Sequence, residues 1–410
     1  MKLDIDSAYE AIQSIVLKTP LQFHAKLSES FGAKIFIKRE DLQLVRSYKI
    51  RGAYNLIQSL TLEERERGVV CASAGNHAQG VAYSCKLLNL HGVIYMPAIT
   101  PKQKINQVKM FGGNWIEIIL VGDTFDECQS FALEYTKTHN KVFVPPFDHI
   151  KIMEGQGTVA KEILDEESDI DYVFVPIGGG GLCAGVGSYF KEKSPNTKII
   201  GVEPFGAPSM TEALKEGRPV SLEKIDKFVD GAAVKKIGDL TFPICKEVLS
   251  DMLLVKEGKV CSTILNLYNE DAIVAEPAGA LSISSLDQYA DQIRGKKVVC
   301  VLSGGNNDID RMQEIKERSL LFEGLKHYFI VRFAQRPGAL KQFVNEILGP
   351  NDDIVRFEFI QKNNKESGPA LIGIELKSRD DFESLLERMD SLLLNFTLVN
   401  QDENLFEYLI

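Results

Sequence analysis

"VFVPIGGGGLCAG", residues 173 to 185, runs from an apolar, β-branched strand through four consecutive glycines into small residues that open a helix. The strand shows no in/out alternation, so both of its faces are covered, and a strand that feeds a helix through a short loop is half of a βαβ unit. Glycines carry no Cβ, so successive backbone N–H groups can converge, and the start of the following helix adds its positive end. Together these hold an anion such as a phosphate. A lone Gly-Gly would read as a flexible turn; four glycines at a strand-to-helix junction read as an anion cradle.

The same grammar extends in both directions. The runs "AKIFIK", "GVVCASAG", "HGVIYMP", "WIEIIL", "KIIGVE" and "KKVVCVLSGG" alternate with amphipathic stretches, which predicts an α/β chain with a parallel sheet. In three places a strand ends in a glycine-containing loop: residues 69 to 80, "VVCASAGNHAQG"; residues 173 to 185; and residues 298 to 308, "VVCVLSGGNND". Ligands of open α/β sheets sit at the carboxyl ends of strands, so these loops are expected to wall one crevice although they are far apart in sequence.

The pattern changes near residue 324. From residue 325 the order is strand "HYFIVRF", helix "PGALKQFVNEIL", strands "DIVRFEFIQK" and "ALIGIELK", helix "DDFESLLERMDSL" and strand "TLVNQ". This is the βαββαβ order of an α+β ferredoxin-like module. The expected division is therefore one part over 1–324 and a second domain over 325–410.

Composition narrows the function. With 410 residues, 44% hydrophobic and 25% charged, the chain has the profile of a globular protein of two or three domains. A net charge of −10 without a Lys/Arg-dense tract argues against nucleic acid, which needs a concentrated basic face. The first residues, "MKLDIDSAYEAIQSIV", carry acids and no continuous apolar core, and no run reaches transmembrane length, so no membrane is expected and the chain reads as cytoplasmic. Seven scattered cysteines, with no C-x-x-C pair, suit reduced and mostly buried thiols. The six histidines show no metal-ligand spacing, and no metal is expected.

The residues leave several functions open. Gly179, Gly181 and Ala184 fit G-x-G-x-x-A, and Glu203 closes the next strand where a ribose-binding acid would stand in a dinucleotide fold. An NAD-dependent oxidoreductase accounts for the middle of the chain and leaves "SYKIRG" and "SAGNHAQG" without a role. A non-catalytic amino-acid sensor built around the C-terminal module is a further class. Lys49, in "SYKIRGAYN", would on its own be a solvated surface charge.

Four stretches together, "KREDLQLVRSYKIRGAYN", "SAGNHAQGVA", "GGGGL" and "SGGN", resemble in order and interval the pyridoxal-phosphate enzymes of the tryptophan synthase β-like type. The resemblance is closest to the threonine dehydratases and covers nearly the whole chain, because "FAQRPGALKQF" to "GPALIGIEL" is similar to the regulatory, ACT-like domain of the biosynthetic members. It implies fold type II, with two subdomains and parallel sheets, the smaller subdomain roughly 52–147 being inserted in the larger. The cofactor implied is pyridoxal 5'-phosphate.

The resemblance also implies the roles of residues. Lys49 would form the covalent link to the cofactor aldehyde and act on the substrate Cα, which requires that an amine of ordinary pKa about 10.4 be kept from water. Gly178, Gly179, Gly180, Gly181 and Leu182 would hold the phosphate. Asn76 would donate to the ring hydroxyl oxygen, and Ser303 would meet the pyridine nitrogen. Ser73, Gly75, Asn76 and His77 would bind the substrate carboxylate. Arg51 is expected to be structural.

Two departures separate this chain from the serine racemases. Ala74 stands where they carry a second serine as acid/base, and "EPFGAPSM" has no second carboxylate for their divalent cation. A third departure, Tyr48 for the usual Phe, keeps the aromatic ring. The activity implied is a lyase, threonine to 2-oxobutanoate and ammonia, the first step of isoleucine biosynthesis, with serine as a second substrate; a serine dehydratase or racemase of the same fold is the alternative. The C-terminal module would bind isoleucine as inhibitor, opposed by valine. It is present once where many biosynthetic relatives carry two. A homo-oligomer, dimer or tetramer, is implied.

Overall fold

Strand Tyr172–Pro176, which leads into the four glycines, is buried at every residue and lies inside a six-stranded sheet. In spatial order the sheet runs Leu21–Phe23, Lys34–Arg39, Lys297–Leu302, Tyr172–Pro176, Lys198–Pro204 and Leu249–Val255. Only the first pair is antiparallel; every other neighbour is parallel. The near-continuous burial of the inner strands is what a sheet covered by helices on both faces requires. The computed structural model describes residues 2–359 and 366–410.

A second, four-stranded sheet is parallel throughout, in the order Ile116–Leu120, Gly92–Met96, Val69–Ala72 and Val142–Phe143. All four strands come from one continuous stretch of chain between the second and third strands, in sequence order, of the large sheet. Each sheet has its own core. Val173, Val175, Val186, Phe190 and Val299 belong to that of the large sheet, and Cys71, Val81, Ile94 and Ile152 to that of the small one.

All seven sequence-predicted runs are strands. Leu21–Phe23, Val142–Phe143 and Leu249–Val255 were not among them; two are only two or three residues long, and the third is an edge strand that exposes Ser250 and Asp251. Local chemistry sets several helix starts. Thr61 and Thr124 each form a reciprocal cap with the glutamate three residues on, Glu64 and Glu127, and Pro277 opens helix Pro277–Ser284.

Register positions the loops. Cys300 pairs with Phe174 and Val299 with Phe36, so the carboxyl ends of three adjacent strands point the same way. The four-glycine loop and the 303–306 loop leave the sheet side by side.

Met1–Asp310 forms one compact unit and Arg311–Ile410 another. In the second, strands Lys326–Ala334, Asp353–Phe359, Ser367–Glu375 and Phe396–Leu398 alternate with helices Ala339–Glu346 and Asp381–Ser391 in the βαββαβ order. All its strand pairs are antiparallel, and Phe329, Val331, Phe343, Ile372, Leu385 and Met389 fill the layer between sheet and helices. The last three residues of the strand predicted over 353–362 lie outside the described residues. Helix Met312–Phe322 belongs to this unit, with Tyr328 Oη donating to Glu317 at 2.5 Å. Among the described residues no helix is long and apolar enough to cross a membrane. All seven cysteines are buried, and none forms a disulfide.

Candidate active site

Lys49 is the first residue of helix Lys49–Gln58. Each residue turns a helix by about 100°, so Lys49 and Arg51 leave on nearly opposite sides. Arg51 goes into the interior, where Nε and Nη2 donate to both oxygens of Glu40 at 2.8 Å and Nη1 and Nη2 donate to Glu162 at 2.7 and 2.8 Å. Thr158 and Lys38 complete the cluster, Lys38 Nζ donating to Glu162 at 2.6 Å. Burial opposes charge there, but the two carboxylates outweigh it and hold the guanidinium firmly protonated. This anchor fixes the rotation of the helix and leaves Lys49 facing the cleft.

The Lys49 amine donates to the carbonyl oxygen of Pro146 at 3.0 Å and sits 5.3 Å from the Tyr48 ring centroid. Removal from water pushes its pKa down to about 8, against the opposing pull of Glu276. Gly80 makes room for this turn: a Cβ there would lie 3.2 Å from the Lys49 carbonyl. Tyr48 N–H donates to Ser303 O at 3.2 Å, and Ser47 bridges Gly304, so the lysine segment and the "SGGN" loop are pinned to each other.

The residue after Pro146 reaches the four-glycine loop. A Cβ on Gly179 would fall 2.2 Å from the Phe147 ring, and Gly180 takes φ +90°, a left-handed conformation that favours glycine. The loop's carbonyls turn into the protein. Gly179 O accepts from Thr241 Oγ1 at 2.7 Å, and Gly180 O accepts from Ala184 N–H at 2.8 Å. The amides of Gly178 to Cys183, by contrast, donate to no acceptor among the described residues. Such a run of unpaired donors at the start of helix Gly181–Lys193 has the chemistry to receive an anion.

A second set of free amides belongs to Asn76, His77 and Ala78, which open helix Asn76–Leu87 behind the N-cap Gly75. Ser73 Oγ accepts from Gly75 N–H at 3.2 Å. The His77 ring is turned away, buried, with Nε2 on Val144 O at 2.9 Å; that carbonyl can only accept, so Nε2 carries the proton. Burial and, secondarily, Lys49 push His77 down to about 3. Its backbone N–H is what it presents. Asn76 Nδ2 donates to Glu276 at 2.6 Å and Asn76 Oδ1 accepts from Asn306 Nδ2 at 2.7 Å. Ser303 is buried, with Oγ donating to Ala278 O at 3.3 Å.

Lys49, the Gly178–Leu182 amides, Asn76, Ser303 and the Ser73–His77 turn thus come to one cleft from separate stretches of the chain. A model of the pyridoxal-phosphate-dependent enzymes matches residues 12–304. The chain belongs to that family. A second model, the C-terminal regulatory domain of threonine dehydratase, matches residues 317–409. The chain is 58% identical to a Bacillus subtilis protein over 404 residues, covering 98% of this chain and 96% of the relative, and 57% identical to one from Halalkalibacterium halodurans over 408 residues, covering 99% and 98%. Both are named biosynthetic L-threonine dehydratase IlvA. The processed form of threonine deaminase isoform 2 from Solanum lycopersicum has a similar structure, with a TM-score of 0.73 at 41% identity, covering 78% of this chain and 95% of that one.

The residues present fit the family's cofactor, pyridoxal phosphate. An amine of lowered pKa suits its aldehyde, unpaired amides at a helix start suit its phosphate, the second N–H of Asn76 remains for a polar atom of its ring, and the Ser303 hydroxyl can meet another by rotating from its long bond to Ala278 O. The acid of the dinucleotide alternative is engaged elsewhere. Glu203 is fully buried and accepts from Met210 N–H at 2.6 Å, Thr211 N–H at 3.0 Å and Thr211 Oγ1 at 2.8 Å, capping helix Ser209–Glu216.

Glu276, against Asn76, is a residue beside these groups that the sequence did not single out. It is buried against Asn76, and burial first, then Asp230, pushes it up to about 7. Its one local signal is the Glu-Pro step of "AEPAGA", an acid directly before a helix-opening proline.

Proposed function

We propose that this protein is a pyridoxal-phosphate-dependent threonine dehydratase that converts L-threonine to 2-oxobutanoate and ammonia, the first step of isoleucine biosynthesis. The observation that carries this reading is the Lys49 amine, pushed down to about 8 and tied through Pro146 to the residue that packs on a run of unpaired glycine amides. Bound there, pyridoxal phosphate supplies the electron sink for the pair left at the substrate Cα.

The chain's own residues do the rest. The free N–H groups of Asn76 and His77, with the Ser73 hydroxyl and Gly75, receive the substrate carboxylate at a helix start. Lys49, as the neutral amine, takes the Cα proton. The β-hydroxyl leaves as water with the proton that Lys49 has gained, and the released 2-aminobut-2-enoate takes up water to give 2-oxobutanoate and ammonia. The amides of Gly178 to Leu182 would hold the phosphate, Asn76 would donate to the ring oxygen, and the Ser303 hydroxyl, turned from Ala278 O, would meet the ring nitrogen as a neutral donor.

A lyase is favoured over a racemase by Ala74. It packs against the apolar cluster of the small sheet and offers no proton to the second face of Cα. The Arg311–Ile410 unit, in which few side chains suit acid/base work, is assigned to isoleucine inhibition and valine relief. A homo-oligomer, dimer or tetramer, is supported by the resemblance, and a cytoplasmic location by seven buried cysteines that form no disulfide.

The test is direct. Purified protein should be yellow, release 2-oxobutanoate from threonine faster than pyruvate from serine, and carry the borohydride-reduced cofactor on Lys49. A colourless protein that turns over threonine would rule the reading out. Isoleucine should raise the threonine concentration needed for half-maximal rate, and valine should restore it.

A further inference from the structure

Glu276 holds the N-cap position of helix Pro277–Ser284 and is 5% exposed. One of its oxygens, Oε1, accepts from Asn76 Nδ2 at 2.6 Å. The same oxygen lies 2.1 Å from where a Cβ on Gly304 would fall, and Glu276 N–H donates to Gly304 O at 3.1 Å. The first glycine of "SGGN" is therefore bare because the Glu276 carboxyl occupies that space.

The other end of the Asn76 carboxamide is also engaged. Its Oδ1 accepts from Asn306 Nδ2 at 2.7 Å, and the two N–H groups of that nitrogen are shared with Val45 O at 2.9 Å and Gln79 Oε1 at 3.0 Å. A carboxamide has one carbonyl and two N–H donors. Glu276 demands a donor and Asn306 supplies one, so the two neighbours agree on a single orientation and leave one N–H of Asn76 unengaged. Without Glu276 only the donor shared by Asn306 holds that orientation.

We propose that Glu276 is a positioning residue for the dehydratase reaction: through a hydrogen bond to Asn76 it turns the remaining Asn76 N–H toward the ring oxygen of bound pyridoxal phosphate, and Gly304 is bare to admit its carboxyl. The inference rests on the reading of Asn76 given under Proposed function. It adds a residue that acts through Asn76 and does not touch the substrate.

Apoprotein of Glu276→Gln, Glu276→Ala, Glu276→Asp and Gly304→Ala, together with Asn76→Ala and the Glu276→Ala/Asn76→Ala pair, is titrated with pyridoxal phosphate. Affinity, the absorbance band of the bound cofactor and threonine kinetics are read. Glutamine keeps an acceptor in place and should preserve band and affinity. Alanine should weaken cofactor affinity by about 10- to 100-fold and displace the band, with kcat falling and KM changing less than about threefold. Glu276→Asp, which shortens the side chain by one methylene, and Gly304→Ala, which displaces the carboxyl, should behave like Glu276→Ala and carry the test where that variant does not fold. The double variant should be no worse than Asn76→Ala alone. Wild-type band and affinity in Glu276→Ala, or additive losses in the pair, overturn the proposal while the wild type stays yellow and active. A wild type that neither binds the cofactor nor turns over threonine overturns the functional reading instead.

Discussion

Lys49 Nζ donates to the carbonyl oxygen of Pro146 at 3.0 Å, although the two residues lie on different elements and 97 positions apart. Phe147, the next residue, fills the space a side chain on Gly179 would need. One short stretch, Pro146–Phe147, thus sets the distance between the amine and the glycine cradle.

The lowered pKa of Lys49 predicts how apoprotein captures its cofactor. The neutral amine is the reactive form, and its fraction rises with pH through about 8 and then saturates. The capture rate, followed by stopped-flow absorbance, should climb from about pH 7 and level off above about pH 9, where an exposed lysine would still be climbing toward 10.5. Lys49→Ala should lower turnover by at least about 10²- to 10⁴-fold, measured as oxoacid release.

Gly179→Ala should act on the cofactor first. A methyl 2.2 Å from the Phe147 ring forces that ring, and with it Pro146, to move. Cofactor affinity should fall by at least about tenfold, which is about 1.4 kcal/mol, in an apoprotein titration, with the thermal midpoint of the apoprotein changed far less.

Arg51→Met should cost stability. It leaves Glu40 and Glu162 buried with Lys38 as their remaining cation, and removing one partner of a buried pair costs about 3–5 kcal/mol. Arg51→Lys should recover little, because an ammonium cannot present the fork that meets both carboxylates. Glu162 has its pKa lowered by Arg51 despite burial. Its share of the stability is therefore present above the ordinary carboxylate value and is lost as pH falls through the lowered one. Thermal midpoints from about pH 3 to 7 should show a steeper acid loss in the wild type than in Arg51→Met.

Glu203 predicts the opposite slope. Burial pushes it up to about 7 against three hydrogen bonds from Met210 and Thr211. A raised folded pKa contributes stability that is complete below the unfolded value of about 4.5 and is lost as pH rises through about 7. From about pH 5 to 8 the wild-type apoprotein should lose roughly 2–3 kcal/mol relative to Glu203→Gln, read as convergence or crossing of their thermal midpoints.

Legibility tracked locality. The glycines of 178–181 were legible because a left-handed turn and a bare amide run are demands of the backbone itself, written in adjacent residues. The C-terminal βαββαβ order was legible because amphipathic periods of two and 3.6 residues are local. The short strands Leu21–Phe23 and Val142–Phe143 carry too few residues to show a period.

Sequence alone determined the α/β class, the four-glycine turn and the two-part organisation, since each is encoded by neighbours along the chain; Lys49 stood out only through the likeness to a known family, because its neighbours alone read as a solvated charge. Tertiary structure decided which way the side chains point. Arg51 meets Glu162 across 111 positions, Asn76 meets Glu276 across 200, and the His77 ring turns from the cleft to Val144. Hydrogen bonds and ion pairs of this kind depend on distances of about 3 Å, and no spacing of letters records a distance until the chain has closed on itself.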